Sequence, residues 1–252
     1  SKSRSNGGSI DVPSVLKKYD ADQIRFYLSV NMPDTHDTEF TWDDLDTRIN
    51  NDLVATLGNY YHRVLSFTRK NFGSIPAGET DGETVAEIER TLAEYRELMA
   101  SCDFKRAIKA VMDLARFGNR FFDAAKPWAL IKEDRDGCGA AMNTALRIAK
   151  ALCIMMWPFM PSSSQRIWEF MGCEGSIEAA GLDEVLAPVR AGQDLKDPVP
   201  VYRKIEQEKK EEIKVEEQKK PVAAQQDSGP YADYRRIDIR VGTVVEAADH
   251  PE

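Results

Sequence analysis

From residue 41 onward, apolar side chains return every three or four positions, and a chain with that period can bury them only as amphipathic helices. Leu45, Ile49, Leu53, Leu57, Tyr60, Val64 and Phe67 make the first such series. Thr41 with Asp44 has the spacing of a capping box at its start, so one long helix is predicted, ending near Phe72 and Gly73. A second helix is predicted over residues 83–99, with Val85, Ile88, Leu92, Tyr95 and Met99 inward. A third runs from Asp103 as N-cap to about Asp123, with Phe104, Ile108, Val111, Ala115, Gly118 and Phe121 inward and Pro127 closing it. The fourth covers residues 140–157, stopped by Pro158, and the fifth runs from the Ser162 cluster to Met171, where Gly172 is a C-cap signal. The expectation is a mainly α protein, a helix bundle joined by short loops.

The two ends follow other patterns. Residues 1–9 are Gly/Ser-rich, and residues 12–30 carry Val15, Leu16, Tyr19, Ile24, Phe26 and Leu28 as one helix candidate, which reads as the end of a larger domain. Beyond residue 186 the helical period fades, and residues 204–220 are a run of Glu and Lys with little apolar content, a solvated helix or a linker. Ile237, Ile239, Val241, Val244 and Val245 around Gly242 have the β-branching and alternation of a strand, with too few residues left before Glu252 to complete a β domain. The chain therefore divides into residues 1–40, 41–186, 187–229 and 230–252.

Composition excludes several classes. Hydrophobic residues are 42% and charged residues 30% of the 252, the balance of a globular protein with a solvated stretch. The apolar run at residues 151–160 is broken by Pro158 and far too short to cross a bilayer, and no signal peptide precedes it; a cytoplasmic, membrane-free protein is expected. Four cysteines without a CxxC pair and three histidines (His36, His62, His250) indicate neither a zinc knuckle nor a disulfide framework, and no metal ligand is assigned. A formal charge of -8 argues against indiscriminate binding to phosphates, so any RNA contact must be local.

Four segments carry a resemblance. SKSRSN at residues 1–6, followed by DADQIRFYL at residues 20–28, resembles the region of the KMSKS signature in class I aminoacyl-tRNA synthetases. NNDLVATLGNYYHR at residues 50–63 is similar to the anticodon-binding helix of the methionyl-tRNA synthetases, with Asn59 and Arg63 at the places of the family's Asn and Arg. FGNRFFDAAKPW at residues 117–128 resembles that family's segment ending in a Pro-Trp pair, and RIDIRVGTVVEAADHPE at residues 236–252 looks like the first strand of its C-terminal tRNA-binding OB-fold domain. The segments occur in the family's order.

The resemblance implies part of a methionine–tRNA ligase, which activates methionine with ATP and magnesium and transfers it to tRNA(Met). Lys2 matches the signature lysine that puts positive charge on the departing phosphates, with Ser1 and Ser3 beside it in the ATP-binding loop. The preceding Lys-Met, and the nucleotide-binding domain with its HIGH motif, are absent from this sequence, so the chain alone is expected to be inactive and any zinc site would lie upstream. Asn59, Arg63 and Trp128 are the implied anticodon-binding residues, the tryptophan stacking on a base, and a completed OB-fold domain would allow a homodimer. The alternatives are a non-enzymatic tRNA-binding module or a class I synthetase for another amino acid.

Read from the residues alone, Asn59 and Arg63 are an i, i+4 pair off the apolar stripe, a pattern common on any solvated surface. Their amide and guanidinium groups also suit the Watson–Crick edges of unstacked bases. Trp128 competes with a core role, the one expected for Trp157 and Trp168. Its position after Lys126 and Pro127, at an element boundary, favours exposure.

Overall fold

Asp20 interrupts the first helical stretch. The computed structural model describes residues 12–33 and 40–206, and there the single helix expected over residues 12–30 is two, α1 (Val12–Lys18) and α2 (Ala21–Val30). Asp20 adopts extended backbone and forms a reciprocal capping box with Gln23, so the chain ends one helix and starts another. All described residues belong to the first of two units, Ser1–Gln207; the second, Glu208–Glu252, lies outside them, together with Ser1, Lys2, Ser3 and the strand expected around Gly242.

The long helix predicted from Thr41 starts as expected, with the Thr41 hydroxyl accepting from the Asp44 amide at 3.1 Å. The Asp44 carboxylate does not close the box; it accepts from Tyr27 and Arg48 instead. Winding then changes along the rod: α3 (Trp42–Arg48) passes into a π-helix (Ile49–Gly58) and returns to α-helix as α4 (Asn59–Asn71). The reason is written in the spacing. Leu45, Ile49, Leu53 and Leu57 follow one another in steps of four, each running about 40° past a 3.6-residue turn, so an α-helix would swing the stripe by about 120° over three steps. The wider i→i+5 turn absorbs that drift, and all four side chains are fully buried. Thr56 fits the same winding, its hydroxyl donating to the Asn51 carbonyl five residues back.

Helices α5 (Gly82–Ala100) and α6 (Phe104–Ala125) start on Asp81 and Asp103, whose carboxylates accept from the amides of Thr84 and Arg106. Helix α8 (Arg135–Met156) starts on Asp134. From Met142 to Met156 every residue of α8 except Arg147 is buried, because α4, α5, α6, α7 (Pro127–Glu133) and α9 (Pro161–Phe170) all pack against it. A helix buried on every side is stable only as such a central post, and its buried polar side chains are paired, Asn143 with the Pro76 carbonyl and Lys150 with Glu184. Tyr60 and Tyr95 donate their hydroxyls to its Ala145 and Met155 carbonyls, both at 2.8 Å, which satisfies two phenols that burial would otherwise leave unpaired. Trp168 is buried as expected, while Trp157 is only partly so. Gly172 ends α9 at φ +75°, the left-handed C-cap the sequence signalled.

Three expectations are corrected. Pro127 does not simply close the third helix; it is the first residue of α7, where its missing N–H is harmless. Phe122, at 4% exposure, is the inward aromatic, while Phe121 is only half-buried. The segment after residue 186 is not free of the bundle before residue 206: Val189, Leu195, Val201 and Tyr202 join the same core as Phe26 and the α4–α6–α8 residues. Ile205 joins a smaller cluster with Tyr19, Tyr27, Leu45 and Ile49. Extended chain can do this because a few well-spaced apolar side chains suffice to anchor it. Among the described residues no helix is long and apolar enough to cross a membrane.

Candidate nucleic-acid interface

Gly118 decides how closely α4 and α6 approach. A Cβ at that position would lie 2.7 Å from Tyr60 Cζ, so the glycine lets the buried Tyr60 ring of α4 lie against the backbone of α6. The two helices there run in the same direction, and two i, i+4 pairs come face to face. Asn59 donates its side-chain amide to Asn119 Oδ1 at 3.2 Å, and Arg63 Nη2 meets Asp123 Oδ1 at 2.5 Å. Asn119 is itself fixed, its amide donating to the carbonyls of Thr56 and Ala115, both at 3.0 Å.

Phe122 joins the pairs to Trp128. The Arg63 guanidinium carbon sits 4.6 Å above the Phe122 ring centroid, a cation–π contact, and the Trp128 ring lies 6.2 Å from the same ring on the other side of the α6–α7 corner. Phe67 packs edge-on at 6.3 Å. The corner itself is sharp: Lys126 holds left-handed backbone at φ 43°, ψ 56°, between the end of α6 and Pro127. Trp128 is therefore turned outward, with 48% of its surface exposed. Thus Arg63 and Trp128 flank one aromatic ring, and Asn59 stands one helical turn before Arg63. A cavity of about 710 Å³ lies elsewhere, lined by Phe26, Val30, Arg48, Phe104 and Met112 among others; none of the three lines it.

The electrostatics are local. Arg63 keeps 29% and Asp123 60% of its side-chain surface in solvent, so their ion pair contributes only ~0–1 kcal/mol and either group can exchange partners at little cost. Beneath them, burial pushes the Tyr60 phenol well above its ordinary value, so it stays a neutral donor to α8. The arrangement offers a half-exposed indole face, a guanidinium with solvent-accessible N–H groups and an amide. Those groups stack on bases and hydrogen-bond to their edges. His62 beside them is exposed and lies 3.3 Å from the Ser66 hydroxyl.

Asn119, Phe122 and Asp123 were not singled out from the sequence. The available signal was the repeat of the i, i+4 spacing: Asn119 and Asp123 stand 60 residues after Asn59 and Arg63. Nothing local marks that pairing, which needs Gly118 to bring the helices together.

The family model described as the anticodon binding domain of methionyl tRNA ligase matches residues 73–219, and that of class I tRNA synthetases (M) matches residues 1–65. Trp128 falls in the first match and Asn59 and Arg63 in the second. A methionine–tRNA ligase of Methanopyrus kandleri is 35% identical over 249 residues, 97% of this chain and 37% of that protein. One of Methanosarcina acetivorans is 39% identical over 188 residues, 75% of this chain and 26% of that protein. The chain thus spans about a third or less of the length of these relatives. Among solved structures, the apo form of Mycobacterium tuberculosis methionyl-tRNA synthetase superposes with a TM-score of 0.72 at 22% identity, covering 80% of this chain and 42% of that one. The same enzyme bound by methionyl-adenylate gives 0.73 at 23%, covering 80% and 41%; at that identity the likeness establishes a shared fold.

Proposed function

Since the chain belongs to the methionyl-tRNA ligase family, we propose that it is the anticodon-reading part of a methionine–tRNA ligase, a cytoplasmic enzyme that activates methionine with ATP and magnesium and transfers it to tRNA(Met). The observation that carries this reading is the convergence of Asn59, Arg63 and exposed Trp128 around Phe122. Trp128 offers a stacking platform, an interaction contributing ~1–3 kcal/mol per base. Arg63, supported from below by Phe122, turns N–H donors toward a base edge; Asn59, whose amide nitrogen is engaged by Asn119, presents its carbonyl oxygen as acceptor. A cytosine edge, with one amine donor and two acceptors, complements that set.

In this reading residues 1–40 form the closing edge of the catalytic domain, with Lys2 steadying the phosphates of ATP and Ser1 and Ser3 in the same loop. Residues 41–206, the last twenty anchored in the bundle core, are the reader, residues 207–229 tether it, and residues 230–252 begin a tRNA-binding OB-fold domain through which a homodimer would form.

The test compares affinities for tRNA(Met) and for the same tRNA with its first anticodon base, cytosine, replaced. Wild type discriminates. Arg63→Ala and Trp128→Ala each lose ~1–3 kcal/mol on the cognate RNA and bind both RNAs nearly equally, with the salt dependence unchanged because no phosphate contact is removed. Variants that keep full discrimination would overturn the assignment.

A further inference from the structure

The π-helix that leads into Asn59 is held from outside. Such a run is rare, and where it persists its neighbours must over-determine it. At its far end the Asn50 side chain pairs with the backbone of Ile205 in both directions, each bond 2.9 Å. At its near end stands Gly58. A Cβ on Gly58 would lie 2.9 Å from Tyr202 Cδ2 and 2.9 Å from the Leu53 carbonyl oxygen, so the buried Tyr202 ring is wedged against the last π turn. Between the two ends, the Asn119 amide donates to the Thr56 carbonyl, while its own oxygen accepts from Asn59.

We propose that Tyr202 and Asn119 are positioning residues for anticodon reading: the Tyr202 ring against Gly58 and the Asn119 amide on Thr56 fix the π winding, and the winding fixes where Asn59 and Arg63 point. The proposal rests on the reading of those two residues as base contacts. Its physical core is angular. Slipping one residue from π to α winding rotates everything beyond by about 100°. Tyr60 and Val64 are fully buried and cannot follow such a turn, so strain from a relaxed π segment falls on the solvent-facing side chains just after it, exposed Asn59 and His62 and half-buried Arg63. Tyr202 comes from a segment some 140 residues later in sequence and is buried against Gly58, so its effect on Asn59 and Arg63 passes through Gly58.

The experiment uses the 252-residue chain and two RNA hairpins, one carrying the methionine anticodon stem-loop and one with its first anticodon base changed from cytosine to uracil. The ratio of the two affinities is read for wild type, Tyr202→Ala, Tyr202→Phe and Asn119→Ala. A partly unfolded variant lowers both affinities by the same factor, so the ratio reports positioning rather than fold loss. Tyr202→Ala and Asn119→Ala are expected to reduce the ratio by about tenfold, the size of a weakened base-edge contact, and Tyr202→Phe to restore it. In parallel, the ¹⁵N side-chain amide resonance of Asn59 should move in Tyr202→Ala and return in Tyr202→Phe. If wild type discriminates and both alanine variants discriminate equally well, the positioning role is overturned while the anticodon reading stands. If wild type itself binds both hairpins alike, the anticodon reading fails and takes this proposal with it.

Discussion

At the residue scale, the least conspicuous side chain in the interface has the largest geometric consequence. Gly118 has no Cβ, and one placed there would press on Tyr60 at 2.7 Å and on Ile148 at 3.1 Å. Neither neighbour has room to retreat, since Tyr60 and Ile148 are both fully buried. Gly118→Ala should therefore behave as core overpacking and destabilise by ~1–3 kcal/mol, outweighing the helix-propensity gain of ~1 kcal/mol that alanine brings in an exposed helix. Denaturant unfolding measures it, and a variant as stable as wild type would refute the close-approach argument. Buried Asp22 shows the same dependence on partners. Its carboxylate accepts the Ser163 amide at 2.6 Å, capping α9, whose own N-cap residue, Met160, has no side-chain acceptor for the task. Neither role could be read from its own residue, because the partner in each case lies far away in sequence.

At the element scale, the corner between α6 and α7 is the feature that turns Trp128 outward. It depends on Lys126 in the left-handed region, a conformation glycine adopts freely and a β-branched residue resists. Lys126→Gly should leave stability unchanged or raise it by up to ~1 kcal/mol, the relief of strain exceeding the added unfolded-state entropy. Lys126→Val should cost ~1–3 kcal/mol and, by deforming the corner, alter the fluorescence of Trp128. Equal stability of the glycine and valine variants in thermal melts would contradict a left-handed corner. The helix starts at Thr41 and Asp103 were legible because those residues cap through their own side chains within three residues; Asp81 and Asp134 cap in the same way, and the helix that Asp134 caps starts at Arg135, five residues before the expected 140. The second role of Pro127 was not, since a proline that cannot continue one helix is equally suited to begin the next.

At the scale of the whole molecule, the core is punctuated by phenols. Tyr60, Tyr61, Tyr95 and Tyr202 are buried, and burial raises the pKa of each above its ordinary value. The unfolded chain ionises its tyrosines near pH ~10, whereas the folded chain does so only at higher pH. Their stabilising effect is thus fully present below about pH 10 and is lost as pH rises beyond it, by ~1.4 kcal/mol per pH unit for each tyrosine. The thermal midpoint should be insensitive to these groups at pH 8–9 and fall steeply by pH 11, in step with the tyrosinate absorbance; a flat midpoint across that range would show that the phenols ionise in place. The helical class, most helix starts and the solvent-facing pair Asn59 and Arg63 were determined by the sequence itself, because period and capping act over a few residues. The resemblance of short motifs, which period and capping do not explain, singled out Trp128. Which of Phe121 and Phe122 turns inward, the meeting of Asn59 with Asn119 and of Arg63 with Asp123, and the incorporation of residues 187–206 into the core were decided by tertiary structure. Adjacent helical positions differ by about 100°, and only packing against α8, Tyr60 and Tyr202 selects one direction over the next.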